Sequence, residues 1–351
     1  MKYTQGVFHE NIFSNQEACM RLPSFQYLEP ENINEALSMM DAYKETVKIV
    51  AGGTEVINHM KKRLLSPSFV INVAKLQELR GISVFDHEII LGAGTTLKEI
   101  ANSPLIKEHY KAIAEAAFQV ASPTIAAMGT FGGNILQNTR CLNYDQSGVV
   151  LNGLDVCHKR GGSTCLAVKG SKRCFSVYQG DMAPALIAFD GQCILRKSGS
   201  TRTIPIIDLF TGNGIQPFSI GSDEMLTGII IPKQENGSGS AYKKLRIRGS
   251  IDFPLAAAAA VIKIGADGRI AVGRIVIGAA GPAPKIVEEA SLALQGRLPE
   301  EVDLERVAGM AYSLTEGVDN LAMPGTYRRK MAVVLTKRAI QEALEDIKKG
   351  M

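Results

Sequence analysis

Two short segments carry a Gly-Gly pair between an apolar stretch and a polar one, and they constrain the fold more than any other feature. In KIVAGGTEVINHMKKR, residues 48–63, the pair follows a strand-like run and precedes a run with helical spacing. A second pair stands in GTFGGNI, residues 129–135. Glycine accepts positive φ angles and lets another backbone or a ligand approach closely. We therefore expect a tight turn at each pair, serving either the fold alone or a binding site.

Such turns suit a phosphate group. Thr54 would stand where a helix begins, with unpaired backbone N–H groups facing outward. Gly132, Gly133 and Asn134 repeat this pattern, so two turns in one domain could hold the two phosphates of a dinucleotide. The nucleotide-binding fingerprint G-x-G-x-x-G is absent, because its nearest match, GAGTTL at 92–97, ends in leucine. This argues against a Rossmann site.

Four of the six cysteines lie between Cys141 and Cys174, with the spacing C-x15-C-x7-C-x8-C. Zinc sites usually contain close C-x2–4-C pairs, and none occurs here. An iron–sulfur cluster held by four thiolates tolerates varied spacing. Basic residues within the stretch would offset the negative charge of such a cluster. The spacing leaves three readings open: a cluster, a zinc site, or free or disulfide-bonded cysteines. Cys19 lies in an N-terminal arm, and Cys193 is expected to be a buried apolar residue in a strand.

Composition limits the remaining function classes. A length of 351 residues predicts two or three domains, and a net charge of +4 without long basic runs gives no support for nucleic-acid binding. No run of 18 apolar residues predicts a membrane span, and the N-terminus lacks the apolar core of a secretory signal. Sparse, clustered cysteines without an export signal favour metal or redox chemistry over disulfides. We therefore expect a cytoplasmic protein.

Hydrophobic periodicity predicts the elements of the N-terminal half. Residues 33–43 have helical spacing, and Asn32 is a candidate cap. Residues 23–75 are expected to form a small α/β unit. A hairpin is expected at 83–94, and helices at 96–122 with a break at Pro104.

The C-terminal half begins with NGSGS, 236–240, whose composition predicts a flexible connector. Strands are expected within 241–264 and 269–281, with one apolar helical patch between them. Two helices are expected near 299–316 and 327–347.

Three segments carry a family resemblance: AGGTEV at 51–56, TFGGNI at 130–135 and GDMAPAL at 180–186. They resemble the FAD-binding medium subunits of the molybdenum hydroxylases, which include the flavin domain of xanthine dehydrogenases and the flavoprotein of carbon monoxide dehydrogenases. The resemblance covers about 23–348. It implies an α+β protein: a two-subdomain FAD-binding fold of the PCMH type, followed by a smaller α/β C-terminal domain. The implied units are an arm (1–22), an FAD-binding domain (23–235, divided near residue 75, with a cysteine-bearing insertion at about 138–178) and a C-terminal domain (241–349).

The resemblance also implies the cofactor-binding residues. The segments 49–56 and 130–134 would wrap the FAD pyrophosphate and ribityl chain. The full implied set is Ile49, Val50, Ala51, Gly52, Gly53, Thr54, Glu55, Val56, Val120, Thr130, Phe131, Gly132, Gly133, Asn134, Asp181, Leu226 and Lys243. Glu55 stands where the family usually has aspartate. No catalytic acid or base is expected, because the flavin ring would carry the redox chemistry.

One branch of the family, the beta subunits of 4-hydroxybenzoyl-CoA reductases, is similar to this chain in its cysteine spacing. That resemblance implies a [4Fe–4S] cluster held by Cys141, Cys157, Cys165 and Cys174. It also implies electron transfer between a carrier such as ferredoxin and two partners, a [2Fe–2S] small subunit and a molybdenum large subunit. The alternatives are a stand-alone flavin oxidoreductase of the same fold and the flavin subunit of another molybdenum hydroxylase, such as an aldehyde or xanthine dehydrogenase.

Overall fold

The computed structural model describes residues 21–168, 170–319 and 323–350. The predicted arm therefore lies almost wholly outside the described residues, as does Cys19. Within the described part, every helix is too short or too polar to cross a lipid bilayer.

The first subdomain is a three-stranded parallel sheet with two helices, as expected for an α/β unit. Asn32 caps the first helix, since its Oδ1 accepts the Glu35 N–H at 3.0 Å. Strand β3 pairs with both β1 and β2. The elements are β1 (Gln26–Leu28), α1 (Ile33–Tyr43), β2 (Val47–Val50), α2 (Val56–Lys61) and β3 (Phe69–Asn72).

The second subdomain is a five-stranded antiparallel sheet in the order β4-β5-β8-β6-β7, with helices on one face. The expected hairpin is confirmed, because Val84 pairs with Ile89. Pro104 breaks the helical region as expected, and a second break occurs at Tyr110. The elements are β4 (Ile82–Val84), β5 (Glu88–Gly92), α3 (Leu97–Asn102), α4 (Pro104–His109), α5 (Lys111–Phe118), α6 (Pro123–Met128), α7 (Phe131–Ile135), α8 (Gly148–Asn152), α9 (Met182–Ala188), β6 (Gln192–Lys197), β7 (Ser200–Pro205) and β8 (Met225–Pro232).

The C-terminal part is a four-stranded antiparallel sheet in the order β12-β11-β10-β9, covered by a long helix. Its elements are β9 (Ser238–Leu245), β10 (Ala256–Ile264), β11 (Ile270–Gly278), β12 (Lys285–Ile286), α10 (Glu288–Leu294), α11 (Leu304–Gly309), α12 (Ala311–Leu314) and α13 (Gly325–Gly350). The mixed helices and sheets agree with the expected α+β class.

The alanine run at 256–260 is a strand, as predicted within 241–264. Residues 265–269 between β10 and β11 form a turn, so the prediction of an apolar helical patch between the two strands is wrong. Side chains of a strand alternate between its two faces. Ala257 and Ala259 pack into the core shared with the second subdomain, whereas Ala256 and Ala258 pack into the core under α13. Both faces are buried against helices, and small side chains allow close packing there. Tertiary packing thus outweighs the helix propensity of alanine.

The prediction of a flexible connector at 236–240 is also wrong for most of that range, because β9 begins at Ser238 and Ser240 is buried. A Cβ at Gly239 would lie 2.2 Å from the carbonyl oxygen of Ala343. This glycine therefore lets α13 approach the strand.

The predicted helix at 299–316 is interrupted. It consists of a 3₁₀ turn at Pro299–Glu301 followed by the short helices α11 and α12. The last predicted helix is confirmed and extends further in both directions as α13, while α10 was not predicted.

Candidate functional site

A cavity of about 450 Å3 lies where the two subdomains meet a loop of the C-terminal part. Cofactor sites in proteins commonly measure roughly 300–1,000 Å3. Most of the predicted flavin-contacting residues line it: Ile49, Ala51, Gly52, Gly53, Thr54, Glu55, Val56, Val120, Thr130, Gly132, Gly133, Asn134, Asp181 and Leu226. The fold thus gathers residues that are distant in sequence around one space.

The first Gly-Gly pair follows β2 and forms a tight turn in contact with the end of α6. A Cβ at Gly52 would lie 1.9 Å from the carbonyl oxygen of Met128, so only glycine fits there. Gly53 has φ of +73°, the left-handed region that favours glycine. Within the described chain, the N–H groups of Gly52, Gly53 and Thr54 donate no hydrogen bond to the protein. They remain available to an anionic ligand.

The second Gly-Gly pair lies inside helix α7 rather than in a turn, which corrects the expectation. The Gly132 N–H donates to the carbonyl of Ala93 at 2.8 Å, and the Gly133 N–H donates to Thr130 Oγ1 at 3.3 Å. A Cβ at Gly132 would lie 2.8 Å from the Cβ of Ala93. This pair therefore serves close packing of α7 on the end of β5. The N–H groups of Gly132 and Gly133 already donate to protein atoms. The expectation that both glycine pairs hold a phosphate in the same way is therefore wrong for this second pair.

Asn134 and Asp181 connect the cavity wall to helix α9 and the C-terminal sheet. Asn134 Oδ1 accepts the N–H of Met182 at 3.1 Å. Asp181 is buried, accepts the hydroxyl of Tyr242 at 2.6 Å and lies 3.0 Å from Lys244 Nζ. Burial raises the pKa of Asp181, and the charge of Lys244 opposes that shift.

Three predicted residues do not line the cavity. Val50 packs in a small apolar cluster beneath α2, and Phe131 lies in the main core. Lys243 forms ion pairs with Glu342 and, at 3.9 Å, with Glu115. Alternation along β9 places the neighbouring Lys244 on the opposite side of the strand, against Asp181.

The sequence did not reveal the polar residues that follow the second pair. Gln137 is 5% exposed and lines the cavity, and its Nε2 has no hydrogen-bond partner. A buried amide donor without a partner is unfavourable, which fits a ligand acceptor in the cavity. Arg140 also lines the cavity, and Ile251 and Phe253 reach it from the loop between β9 and β10.

The four predicted metal-ligating cysteines line one small cavity of about 10 Å3 within residues 138–178, hereafter the cysteine insertion. Cys157, Cys165 and Cys174 are buried, and Cys141 is half-buried. The present space would hold about one water molecule. Among the described residues, no three His, Cys, Asp or Glu side chains are arranged to hold a metal ion in this conformation. The fold therefore gathers the thiols without forming a finished metal site.

Lys159 provides a half-buried positive charge beside these thiols. Its Nζ donates to Asn138 Oδ1 at 2.8 Å and to Thr139 Oγ1 at 2.6 Å. Burial lowers the pKa of Lys159 to about 8, while the neighbouring cysteine side chains oppose that shift. No carboxylate among the described residues forms an ion pair with it. A half-buried cation without a carboxylate partner fits an anionic group held by the thiols.

Cys193 lies outside this group. It is fully buried in β6, as expected for an apolar core residue, and burial raises the pKa of its thiol to about 12.

Comparison with known proteins identifies two family matches. Residues 23–234 match the model "FAD binding domain in molybdopterin dehydrogenase", and residues 240–343 match "CO dehydrogenase flavoprotein C-terminal domain". Among individual relatives, the nicotinate dehydrogenase FAD-subunit of Eubacterium barkeri is 29% identical over 69% of this chain and 70% of that protein. The carbon monoxide dehydrogenase medium chain of Hydrogenophaga pseudoflava is 25% identical over 92% of this chain and 97% of that one.

Solved structures agree with these matches. A chain of the reconstituted CO dehydrogenase from Oligotropha carboxidovorans superimposes with a TM-score of 0.76 at 25% identity. The similarity covers 93% of this chain and all of that one.

Proposed function

The chain belongs to the family defined by the FAD-binding domain of molybdopterin dehydrogenases, and from that premise we propose that its large cavity binds FAD. The main support for this proposal is that the two glycine segments, 51–56 and 130–135, line one cavity. The free N–H groups of Gly52, Gly53 and Thr54 would hold the pyrophosphate, and the Gln137 amide would donate to a polar atom of the cofactor. FAD bound there would supply the transfer of one or two electrons.

We propose further that the chain acts as an electron-transfer subunit beside a molybdenum large subunit and a [2Fe–2S] small subunit. The chain matches a carbon monoxide dehydrogenase medium chain over nearly the full length of both. A "medium chain" is by its name one of several chains.

The cysteine insertion is proposed to hold a [4Fe–4S] cluster through Cys141, Cys157, Cys165 and Cys174. Four thiols around one space match the ligand set of such a cluster. Lys159 would offset part of its negative charge. Because the present space is far smaller than a cluster, the thiols would move outward as they bind it.

The cysteine spacing supports the finer proposal that the complex resembles 4-hydroxybenzoyl-CoA reductase and receives electrons from ferredoxin or a similar carrier. The nicotinate and carbon monoxide dehydrogenase relatives favour a second candidate, the flavin subunit of another molybdenum hydroxylase. The two candidates share FAD and differ in the substrate of the large subunit.

Anaerobic purification followed by iron, sulfide and zinc analysis tests the cluster. We expect about four iron atoms per chain and broad visible absorption beneath the flavin bands. Cys157→Ser should lose the intact cluster, whereas the matched control Cys193→Ser should keep it, because Cys193 packs in the main core and does not line the insertion cavity. A chain that contains zinc, or no metal, would exclude the cluster and leave the FAD proposal standing.

The substrate class is tested on the assembled complex. Oxidation of reduced ferredoxin that depends on 4-hydroxybenzoyl-CoA would support the reductase proposal. Turnover with a purine, an aldehyde or a pyridine carboxylate and no reaction with the thioester would favour the second candidate.

A further inference from the structure

Arg140 stands immediately before Cys141, at the point where the cysteine insertion leaves the second subdomain. Its backbone N–H donates to the Val177 carbonyl at 2.8 Å, and the Val177 N–H donates to the Arg140 carbonyl at 2.9 Å. This antiparallel bridge joins the two ends of the insertion. Arg140 therefore lies at the paired base of the insertion, next to Cys141.

The Arg140 side chain contacts three separate parts of the protein and is only 13% exposed. One terminal nitrogen forms an ion pair with Glu55, which follows the first glycine pair. The other lies 2.6 Å from Asp145 Oδ2, within the insertion. The guanidinium also lies 3.9 Å from the ring centroid of Phe253, on the loop between β9 and β10. One cation thus connects both subdomains and the C-terminal part.

This junction borders the flavin cavity and is incompletely paired there. Glu55 and Arg140 both line the cavity, and so does Phe253. Glu55 Oε1 is buried and has no hydrogen-bond partner, although His59 Nε2 lies 3.4 Å away. Arg140 Nε is also buried without a hydrogen-bond partner. A small displacement of the guanidinium would therefore alter polar groups on the cavity wall.

We infer that Arg140 is a positioning residue that couples occupancy of the cysteine insertion to FAD binding. The inference rests on the proposed function. A group bound by the thiols would fix Cys141, and with it the adjacent Arg140 that holds Glu55 and Phe253 at the cavity. By thermodynamic linkage, FAD must strengthen binding at the thiols by the same factor. Coupling between two sites commonly changes affinity about 5- to 150-fold.

The test compares FAD affinity of the full chain with iron bound and after anaerobic removal of iron by a chelator. Kd is measured by titration of flavin-free protein with FAD, followed by flavin fluorescence. In the wild type we expect Kd to rise about 5-fold or more when iron is removed. Arg140→Gln should bind both FAD and iron, with nearly the same Kd in the two states. Arg140→Lys keeps the charge but cannot form two directed ion pairs. The ratio of its Kd without iron to its Kd with iron should lie between those of the wild type and Arg140→Gln.

Two further variants define the outcome. Asp145→Asn does not alter a residue of the flavin cavity and should also lower the ratio, so the test stands even if Arg140→Gln fails to fold. Arg160→Gln, within the insertion but away from the flavin cavity, should keep the wild-type ratio. A wild-type ratio near one, or a wild-type ratio retained by Arg140→Gln and Asp145→Asn, overturns the coupling while leaving the cluster proposal intact. A wild-type chain that takes up no iron overturns both.

Discussion

Gly52 is where the first glycine segment contacts the end of α6, and replacing it with alanine should disturb the cavity directly. The added Cβ would lie 1.9 Å from the carbonyl oxygen of Met128 and 2.7 Å from its carbonyl carbon. Both atoms belong to the backbone, so no flexible side chain can move aside. To reach even 3.0 Å, the two segments must separate by more than 1 Å. Overpacking of this kind costs about 1–3 kcal/mol.

Since both segments line the cavity, we expect this cost to appear in FAD binding. If the separation persists in the bound state, Kd should rise about 5- to 150-fold, which corresponds to the same 1–3 kcal/mol. The assay is titration of flavin-free chain with FAD, with urea unfolding measured in parallel. Gly309→Ala is the control: no atom lies within 4 Å of its Cβ, so it should keep FAD affinity and unfold no more easily. Wild-type Kd and wild-type stability in Gly52→Ala would mean that the two segments do not need glycine at this contact.

Two other predictions concern the charges near β9. Burial raises the pKa of Glu115 to about 7 from its ordinary value of 4.5, so between these pH values the folded chain keeps a proton that the unfolded chain has lost. The contribution of Glu115 to the free energy of unfolding should therefore fall by up to about 3 kcal/mol as pH rises through this window. Glu115→Gln should remove this pH dependence, whereas the exposed control Glu108→Gln should keep it. Lys244→Ala would leave Asp181 charged and buried, and denaturant unfolding should show a loss of about 3–5 kcal/mol. Lys243→Ala, on the opposite side of the strand, should cost about 1 kcal/mol or less, and equal losses in the two variants would contradict the buried-pair account.

Elements with strong local signals could be predicted from the sequence. The helix at 33–43 has both an apolar stripe and a capping side chain at Asn32, and these depend only on neighbouring residues. The break at Pro104 likewise follows from the proline itself. The first glycine turn was predictable because Gly53 requires a positive φ.

Other features depend on contacts between distant parts of the chain. The alanine run of β10 carries no local sign that both of its faces meet helices. A shift of one residue decides whether Lys243 or Lys244 faces Asp181, and a family pattern does not fix that register. The pairing of Arg140 with Glu55 joins residues 85 positions apart. Such contacts become visible only when the tertiary fold brings the segments together.

A crystal structure of the full chain grown with FAD would show where the cofactor lies. We expect the pyrophosphate to lie against the N–H groups of Gly52, Gly53 and Thr54, with the rest of the cofactor in the same cavity. FAD bound at another place, or a pyrophosphate held by the N–H groups of Gly132 and Gly133 instead, would contradict this expectation.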